Sequence, residues 1–471
     1  MSSFPVMGFL TKLEARVIAI LLITGFGGLL AHEAVAARRQ PGGYWTPIRT
    51  AVWALFALMV VLWRGPLFVH TLMPPSRVLV DFFQEWSSVQ NWRQGLPIYE
   101  EQVLAVDRYL GIKFDPTEQE AVEVNAHPPA AVLMAMPVAW LDYPHATLAW
   151  NLLSLVLGAS ALWVLNVELK LAQSSRTLLL LVPLALLFDP LFAQTFYAQL
   201  NLLLLFLLVG AWAAARRGRD AIGGAFLGTA AAVKLFPGLL IGFFAMQRRW
   251  RLVAAALVAT SAWCGMTLLV FGLEAHKQYV GEVIPRVHEW RAGWGNISLL
   301  GWWSRLFDPG TKGGPVTPIG HAPWLAKAGM YASAFLLAGV ACWTAWRART
   351  PKARELSLGL SVVTMLLISP ICWPHYLLLL LLPAAQVWCF MSESRLAVLG
   401  VVLLLLPVWL PPALVGFLSG GIPSPATPTH SLLVLSLKTY ALLSFWLFLA
   451  WAAARARAQE EVAARFAHAT G

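Results

Sequence analysis

Residues 50–73 read TAVWALFALMVVLWRGPLFVHTLM, with Arg64 as the one charged side chain. A helix of about 20 apolar residues crosses the roughly 30 Å hydrocarbon core of a bilayer. Similar runs recur at 15–36, 146–166, 199–215, 251–272, 325–346, 356–371, 375–391, 396–416 and 431–454. Shorter ones lie at 129–142, 176–190 and 221–247. The pattern predicts an all-α integral membrane bundle of about 11–13 transmembrane helices. Composition agrees. Of 471 residues, 59% are hydrophobic and only 12% charged, about half the usual charged share. That excludes a soluble enzyme, a coiled coil and a disordered chain. Cys264, Cys342, Cys372 and Cys389 have no metal-binding spacing and read as small apolar residues.

The net charge of +11 does not indicate a nucleic-acid partner. The basic residues form small clusters between apolar runs, the mark of cytoplasmic loops. They are Arg38/Arg39, Arg216/Arg217/Arg219, Arg248/Arg249/Arg251, Arg347/Arg349/Lys352/Arg354 and Arg455/Arg457. From residue 250 onward the alternation works and puts the C-terminus inside. Between 129 and 250 two arrangements remain. If both the Arg216 and Arg248 clusters lie inside, 221–247 is a hairpin and 129–142 does not cross. Otherwise 129–142 crosses and one cluster breaks the rule. At the N-terminus, the segment 17–30 followed by Ala34-Val35-Ala36 has features of a signal peptide. Arg38 and Arg39 favour a retained helix instead. The domain reading is an extra N-terminal helix and basic linker over 1–45, then one transmembrane catalytic domain over 46–471.

Two long polar loops, about 75–128 and 273–324, interrupt the spans. Loops of such length are usually functional or disordered, and their Trp and Tyr content argues against disorder. The first is net acidic and is assigned outside. The second carries Tyr279, Trp290, Trp294, Trp302 and Trp303, which suit either a sugar face or the membrane interface.

Ionisable and amide groups at span mouths are costly there and are candidate functional residues. Asp81 opens D-F-F-Q-E-W after the Pro74-Pro75 break. It is placed to act as a general base or to cap the next helix, which is read as amphipathic and surface-lying. Glu85 follows at i+4, a weak cation signal. His127 precedes Pro128-Pro129 and reads as a phosphate contact or an interfacial histidine. Gln199 and Asn201, in Y-A-Q-L-N, suit sugar hydroxyls or helix–helix bonding. Lys234 lies in A-V-K-L-F-P and requires a partner or an anion, unless it snorkels. Its neighbour Pro237 breaks the helix. In S-P-I-C-W-P-H-Y, Pro370 and Pro374 break the chain so that Trp373 and His375 can face a cavity. No metal-ligand pair occurs on a span, and no Gly-rich phosphate loop follows a strand.

Together these segments resemble glycosyltransferase family 87, the polyprenyl-phosphate-mannose-type mannosyltransferases with a C-type glycosyltransferase fold. The likeness runs in order from about 80 to 385. It includes D-F with G-L-P-I-Y, H-P-P-A-A-V, Q-L-N with Ala198 where glycine is usual, A-V-K-L-F-P, G-N-I-S at 295–298, and S-P-I-C-W-P-H-Y. The resemblance implies one sugar, mannose first, moved from a polyprenyl-phosphate donor to a glycolipid or glycan acceptor with inversion. Asp81 becomes the base, and Lys234 and His375 the donor-phosphate contacts. Gln199, Asn201, Asn296, Ser298, Trp373 and His127 become sugar or acceptor contacts. No metal or other cofactor is implied, since Lys234 and His375 can hold a monophosphate leaving group. The expected setting is the bacterial inner (plasma) membrane among its lipids, with the site facing the periplasm. Competing readings are a lipid-carrier oligosaccharide ligase and a flippase or transporter of polyprenyl-linked sugars.

Overall fold

The computed structural model describes residues 45–75, 78–113, 124–171, 175–310, 312–391 and 421–470, plus positions 405, 407 and 408. The expected N-terminal span, nearly all of 396–416 and the acidic stretch 114–123 lie outside them. The described chain is all-α, and its β pairing is limited to an isolated bridge between Val316 and Ala426. Lipid offers no partner for a backbone amide, so each crossing segment satisfies its own as helix.

Helix α1 (Pro47–Leu72) starts at Thr46, whose hydroxyl accepts from the Arg49 amide. The first long loop follows, with α2 (Phe83–Arg93), α3 (Gln102–Leu110) and α4 (Pro129–Ala135). Then α5 (Tyr143–Leu169) runs the other way. Next, α6 (Leu178–Leu186) and α7 (Asp189–Tyr197) meet at a 59° bend, where Pro190 lacks the amide that would continue the helix. Helix α8 (Asn201–Arg216) leads to α9 (Asp220–Val233). After a break at 234–238 come α10 (Leu239–Met246) and α11 (Trp250–Gln278). A π turn at Tyr279–Val283 joins α11 to α12 (Ile284–His288). The second long loop carries α13 (Leu299–Phe307). It is followed by α14 (Pro323–Arg347), α15 (Pro351–Ile368), a 3₁₀ turn at Pro374–Leu380 and α16 (Leu381–Met391). Helices α17 (Pro428–Leu433) and α18 (Leu437–Thr470) close the described chain.

Five helices among the described residues are long and apolar enough to cross a membrane, or six with the bent α6–α7 pair. Four more apolar helices are shorter, because prolines and polar residues interrupt them. Those interruptions, and the two segments outside the described residues, separate this number from the about 11–13 crossings expected. The outer face suits lipid. Leu62, Leu269 and Phe335 point outward with 67%, 89% and 75% of their surface free, an exposure that water would penalise.

The arrangement between 129 and 250 is the hairpin. Helix α4 has seven residues and rises only about 10 Å. Helix α9 has 14, about 21 Å, and α10 turns back. Arg249, just before α11, bonds to the Ala215 carbonyl at 2.6 Å and pairs with Asp220. The two basic clusters therefore meet at one end of the bundle. Glu168 and Glu355 bind Arg216 there at 3.4 and 2.8 Å, and Glu168 also pairs with Arg217. Arg347, Ala353 and Ala454 line one small cleft, which brings the later basic runs to the same end. Both long loops lie at the opposite end.

Parallel α9 and α11 approach through glycine. A methyl group at Gly224 would land on the Leu252 carbonyl oxygen, and one at Gly228 on that of Ala256. Thr260 and Trp263 of α11 bond across to the Gly228 carbonyl and Thr229 hydroxyl at 3.1 and 3.0 Å. This contact holds the hairpin tip in place. Gly228→Val is expected to lower stability by about 1–3 kcal/mol, read as a lower midpoint of thermal unfolding in detergent. Gly242, whose added methyl would meet nothing within 4 Å, should tolerate alanine without loss.

Candidate active site

The segment 78–82 is pinned from two sides. The Val80 amide donates to the Tyr143 hydroxyl at 2.9 Å, and the Phe82 amide to the Tyr197 carbonyl at 3.2 Å. Phe82 stacks on Trp150 with ring centres 5.3 Å apart. Asp81 is thereby held at the loop end of the bundle. Its side chain does not cap α2, whose N-cap is Phe82 without a side-chain bond. One carboxylate oxygen accepts from Gln199 Nε2 at 2.6 Å, and the other receives no donor among the described residues. Burial raises the Asp81 pKa. The Gln199 bond, His127 and Lys234 oppose that rise, and Glu85 adds to it.

Helix α2 is not the surface-lying amphipathic helix expected. Glu85, Ser87, Ser88 and Asn91 are as buried as Phe83 and Trp86. Loop 124–128 docks on it. Asn125 Nδ2 donates to Ser88 Oγ at 3.1 Å, Gln84 Oε1 accepts from the Ala126 amide at 3.0 Å, and His127 Nδ1 pairs with Glu85. Glu85 thus orients His127 and is engaged by it.

Gln199 stands on a tight turn between α7 and α8. Gln194 builds the turn, its Nε2 donating to the Gln199 carbonyl. Its Oε1 accepts from the Asn201 amide at 3.1 Å and from Asn201 Nδ2 at 3.3 Å. Ala198 sits in the left-handed region with φ of 50°. That is the physical reason glycine suits this position. Asn201 is fully buried within the turn and serves it, although its Oδ1 accepts no protein bond.

Lys234 leaves the end of α9 in extended conformation, where the 234–238 break frees it from the helix. Its ammonium donates to Gln199 Oε1 at 3.0 Å and to the Tyr376 hydroxyl at 3.2 Å. It also sits 4.3 Å from the Tyr376 ring centre, and Phe236 stacks on that ring. Lys234 is 4% exposed and has no carboxylate within ion-pair distance among the described residues. His375 enters from the 3₁₀ turn, 3% exposed, between Tyr197 and Tyr376. Neither of its ring nitrogens has a protein partner. Buried polar groups are normally paired. A buried cation with no carboxylate in direct ion pair among the described residues, beside an unpartnered imidazole, is a chemical fit for an anion.

Asn296 and Ser298 do not join this cluster; they brace it from behind. Asn296 Nδ2 donates to the Arg291 and Pro370 carbonyls at 2.9 and 3.2 Å. Its Oδ1 accepts from the Ser298 and Cys372 amides at 3.1 and 3.0 Å. Ser298 caps α13 through the Gly301 amide. The amide valences that sugar contact would require are spent inside the protein. Arg305, which sequence reading passed over, is fully buried and binds the Gly293 and Asn296 carbonyls and Ser436. Burial pulls its pKa down to about 10. Trp373 is half-buried, meets Trp290 in a T-shaped pair at 6.4 Å and lies against Gly293 and Gly295. No group of three His, Cys, Asp or Glu gathers as a metal shell among the described residues.

The sequence profile of glycosyltransferase family 87 matches residues 125–370. The chain is 26% identical over 392 residues to a polyprenol-phosphate-mannose-dependent alpha-(1-2)-phosphatidylinositol mannoside mannosyltransferase of Mycobacterium tuberculosis (strain ATCC 25618 / H37Rv), covering 77% of this chain and 83% of that one. It is 25% identical over 252 residues to a polyprenol-phosphate-mannose-dependent alpha-(1-2)-phosphatidylinositol pentamannoside mannosyltransferase of Mycolicibacterium smegmatis (strain ATCC 700084 / mc(2)155), covering 53% of this chain and 57% of that one. No solved structure matches. The chain belongs to glycosyltransferase family 87 and is an integral membrane glycosyltransferase.

Two substitutions should move stability in opposite directions. Ala198→Gly relieves a left-handed residue and is expected to raise the unfolding midpoint, by up to about 1 kcal/mol of stability. Asn296→Ala strips partners from buried backbone groups and should lower it by about 1–3 kcal/mol. Thermal unfolding in detergent reads both.

Proposed function

We propose that this family 87 enzyme moves one mannosyl unit from a polyprenyl-phosphate donor to a hydroxyl of a lipid- or glycan-linked acceptor. Transfer occurs on the extracytoplasmic face and inverts the anomeric centre. The observation that carries the reading is the buried Lys234 ammonium, in direct ion pair with no carboxylate among the described residues, beside His375 with both ring nitrogens open. The phosphodiester of a lipid-linked sugar phosphate supplies negative charge and acceptor oxygens, and it leaves as the lipid phosphate monoester. The names of the relatives support mannose and a polyprenol-phosphate carrier, and their phosphatidylinositol mannoside acceptors support a glycolipid acceptor here.

The mechanism is a single displacement. The acceptor hydroxyl attacks the anomeric carbon and passes its proton to the Asp81 carboxylate. The bond from that carbon to the phosphate oxygen breaks, and the phosphate leaves with the electron pair. Lys234 neutralises the developing charge, and His375 donates a hydrogen bond. Much of the acceleration comes from holding two lipid-anchored reactants in line. Orientation is supported by the gathered basic clusters, which lie at the end of α8 opposite Gln199 and mark the cytoplasmic side. The polar groups of the site collect at one end of the bundle, which favours chemistry there over a flippase track through it.

Purified protein in lipid, given radiolabelled polyprenyl-phosphate-mannose and native membrane extract, is expected to transfer label. Asp81→Asn should reduce turnover by about 100-fold or more. Full turnover by a folded Asp81→Asn protein removes Asp81 from the mechanism. Lys234→Ala should weaken donor binding more than acceptor binding, and equal effects would exclude a phosphate role. The rate should fall on the acid side as Asp81 takes up a proton. Its buried pKa lies above the ordinary carboxylate value, so the loss should set in at higher pH than for an exposed aspartate.

A further inference from the structure

Gln199 is 4% exposed, and its side-chain amide touches two opposite charges. The Nε2 donates to the Asp81 carboxylate at 2.6 Å, and the Oε1 accepts from the Lys234 ammonium at 3.0 Å. The orientation of the amide is forced. A carboxylate only accepts and an ammonium only donates, so the reverse placement would lose both bonds. The backbone beneath it is equally constrained. Gln194 holds the Gln199 carbonyl and the Asn201 amide, and the left-handed Ala198 aims the side chain.

The two charges lie one amide apart. Lys234 has no carboxylate within ion-pair distance among the described residues; Glu85 and Asp81 are the negative groups that act on it from further off, and no other described group donates to Asp81. A flexible four-carbon stem lets an ammonium travel. In a buried setting the attraction between opposite unit charges is strong. Without an intervening group the pair would close directly. Closure would occupy the cation and hold the carboxylate as a weaker base.

We propose that Gln199 is a positioning residue that keeps Asp81 and Lys234 apart and aligned, leaving the base free for the acceptor and the cation free for the donor phosphate. Sugar contact is not its role. The inference rests on the reading of Asp81 as base and Lys234 as phosphate contact, and adds the element that couples them. Titratable groups facing Asp81 are Glu85 from α2, His127 from the 124–128 loop, Lys234, Tyr143 from α5, Tyr197 from α7 and Tyr376 from the 3₁₀ turn. Of these, Lys234 is bonded directly to Gln199, so a change at Gln199 acts on Asp81 through Lys234.

The test is the pH profile of kcat for transfer from polyprenyl-phosphate-mannose, with the full chain in lipid. Gln199→Ala removes the spacer. Lys234 then closes on Asp81, the acid limb moves to lower pH, and kcat falls by up to about 100-fold. Gln199→Glu keeps the shape and the Lys234 contact but sets a second carboxylate beside Asp81. The acid limb then moves to higher pH, by about one unit or more. Opposite displacements support the inference. Limbs unchanged, or displaced in the same direction, overturn it. If Gln199→Ala does not fold, the near-isosteric Gln199→Glu decides alone, its limb moving up or staying. Asp81→Asn runs beside them. An inactive Asp81→Asn with unmoved Gln199 limbs sinks only the spacer role. An active Asp81→Asn sinks the base assignment and this inference with it.

Discussion

A backbone that leaves helical form inside a membrane must find other partners for the amides it frees. This chain does so at 198–200, at 234–238 and at 369–373, and all three breaks meet at one place. Gln194 satisfies the first. Asn296 and Ser298 satisfy the third through the Pro370 carbonyl and the Cys372 amide. The second begins at Lys234, whose bonds to Gln199 and Tyr376 tie it to the other two. Each break turns a polar side chain inward, and each is tolerated because protein surrounds it.

The close packing of α9 on α11 serves the same point. Gly224 and Gly228 let the helix backbones approach, as small residues commonly do between helices in lipid. The hairpin it supports is too short to span. Its tip delivers a lysine to the depth of the loop-side site. Charge sorting completes the arrangement. Arg216, Arg217 and Arg249 are paired with Glu168, Glu355 and Asp220 at the far end. Lys234, in the site, makes no direct ion pair among the described residues.

The polar residues singled out by sequence divide into two kinds. Asp81, Gln199, Lys234 and His375 converge, although 118 positions separate Asp81 from Gln199 and 142 separate Lys234 from Tyr376. Asn296 and Ser298 work behind them on backbone groups, and Asn201 on the Gln194 side chain. His127 is held against Glu85 next to Asp81. A motif marks a residue as required but does not distinguish touching a substrate from holding a loop. Gln194 and Arg305 escaped notice for a related reason. Each is a polar residue in an ordinary apolar or aromatic setting, and its burial is visible only once distant segments pack.

Sequence by itself determined the membrane class, most of the long spans, the breaks at Pro237, Pro370 and Pro374, and the family likeness. Those features are local. Hydrophobic run length, proline and charge clusters act through neighbouring residues and read directly from the chain. Tertiary structure alone decided that 221–247 is a hairpin and that α4 stops short. It also decided that α2 is buried and that one amide separates Asp81 from Lys234. These depend on which helices pack together and on the partners left for each buried polar group, which are set by contacts between segments far apart in the chain.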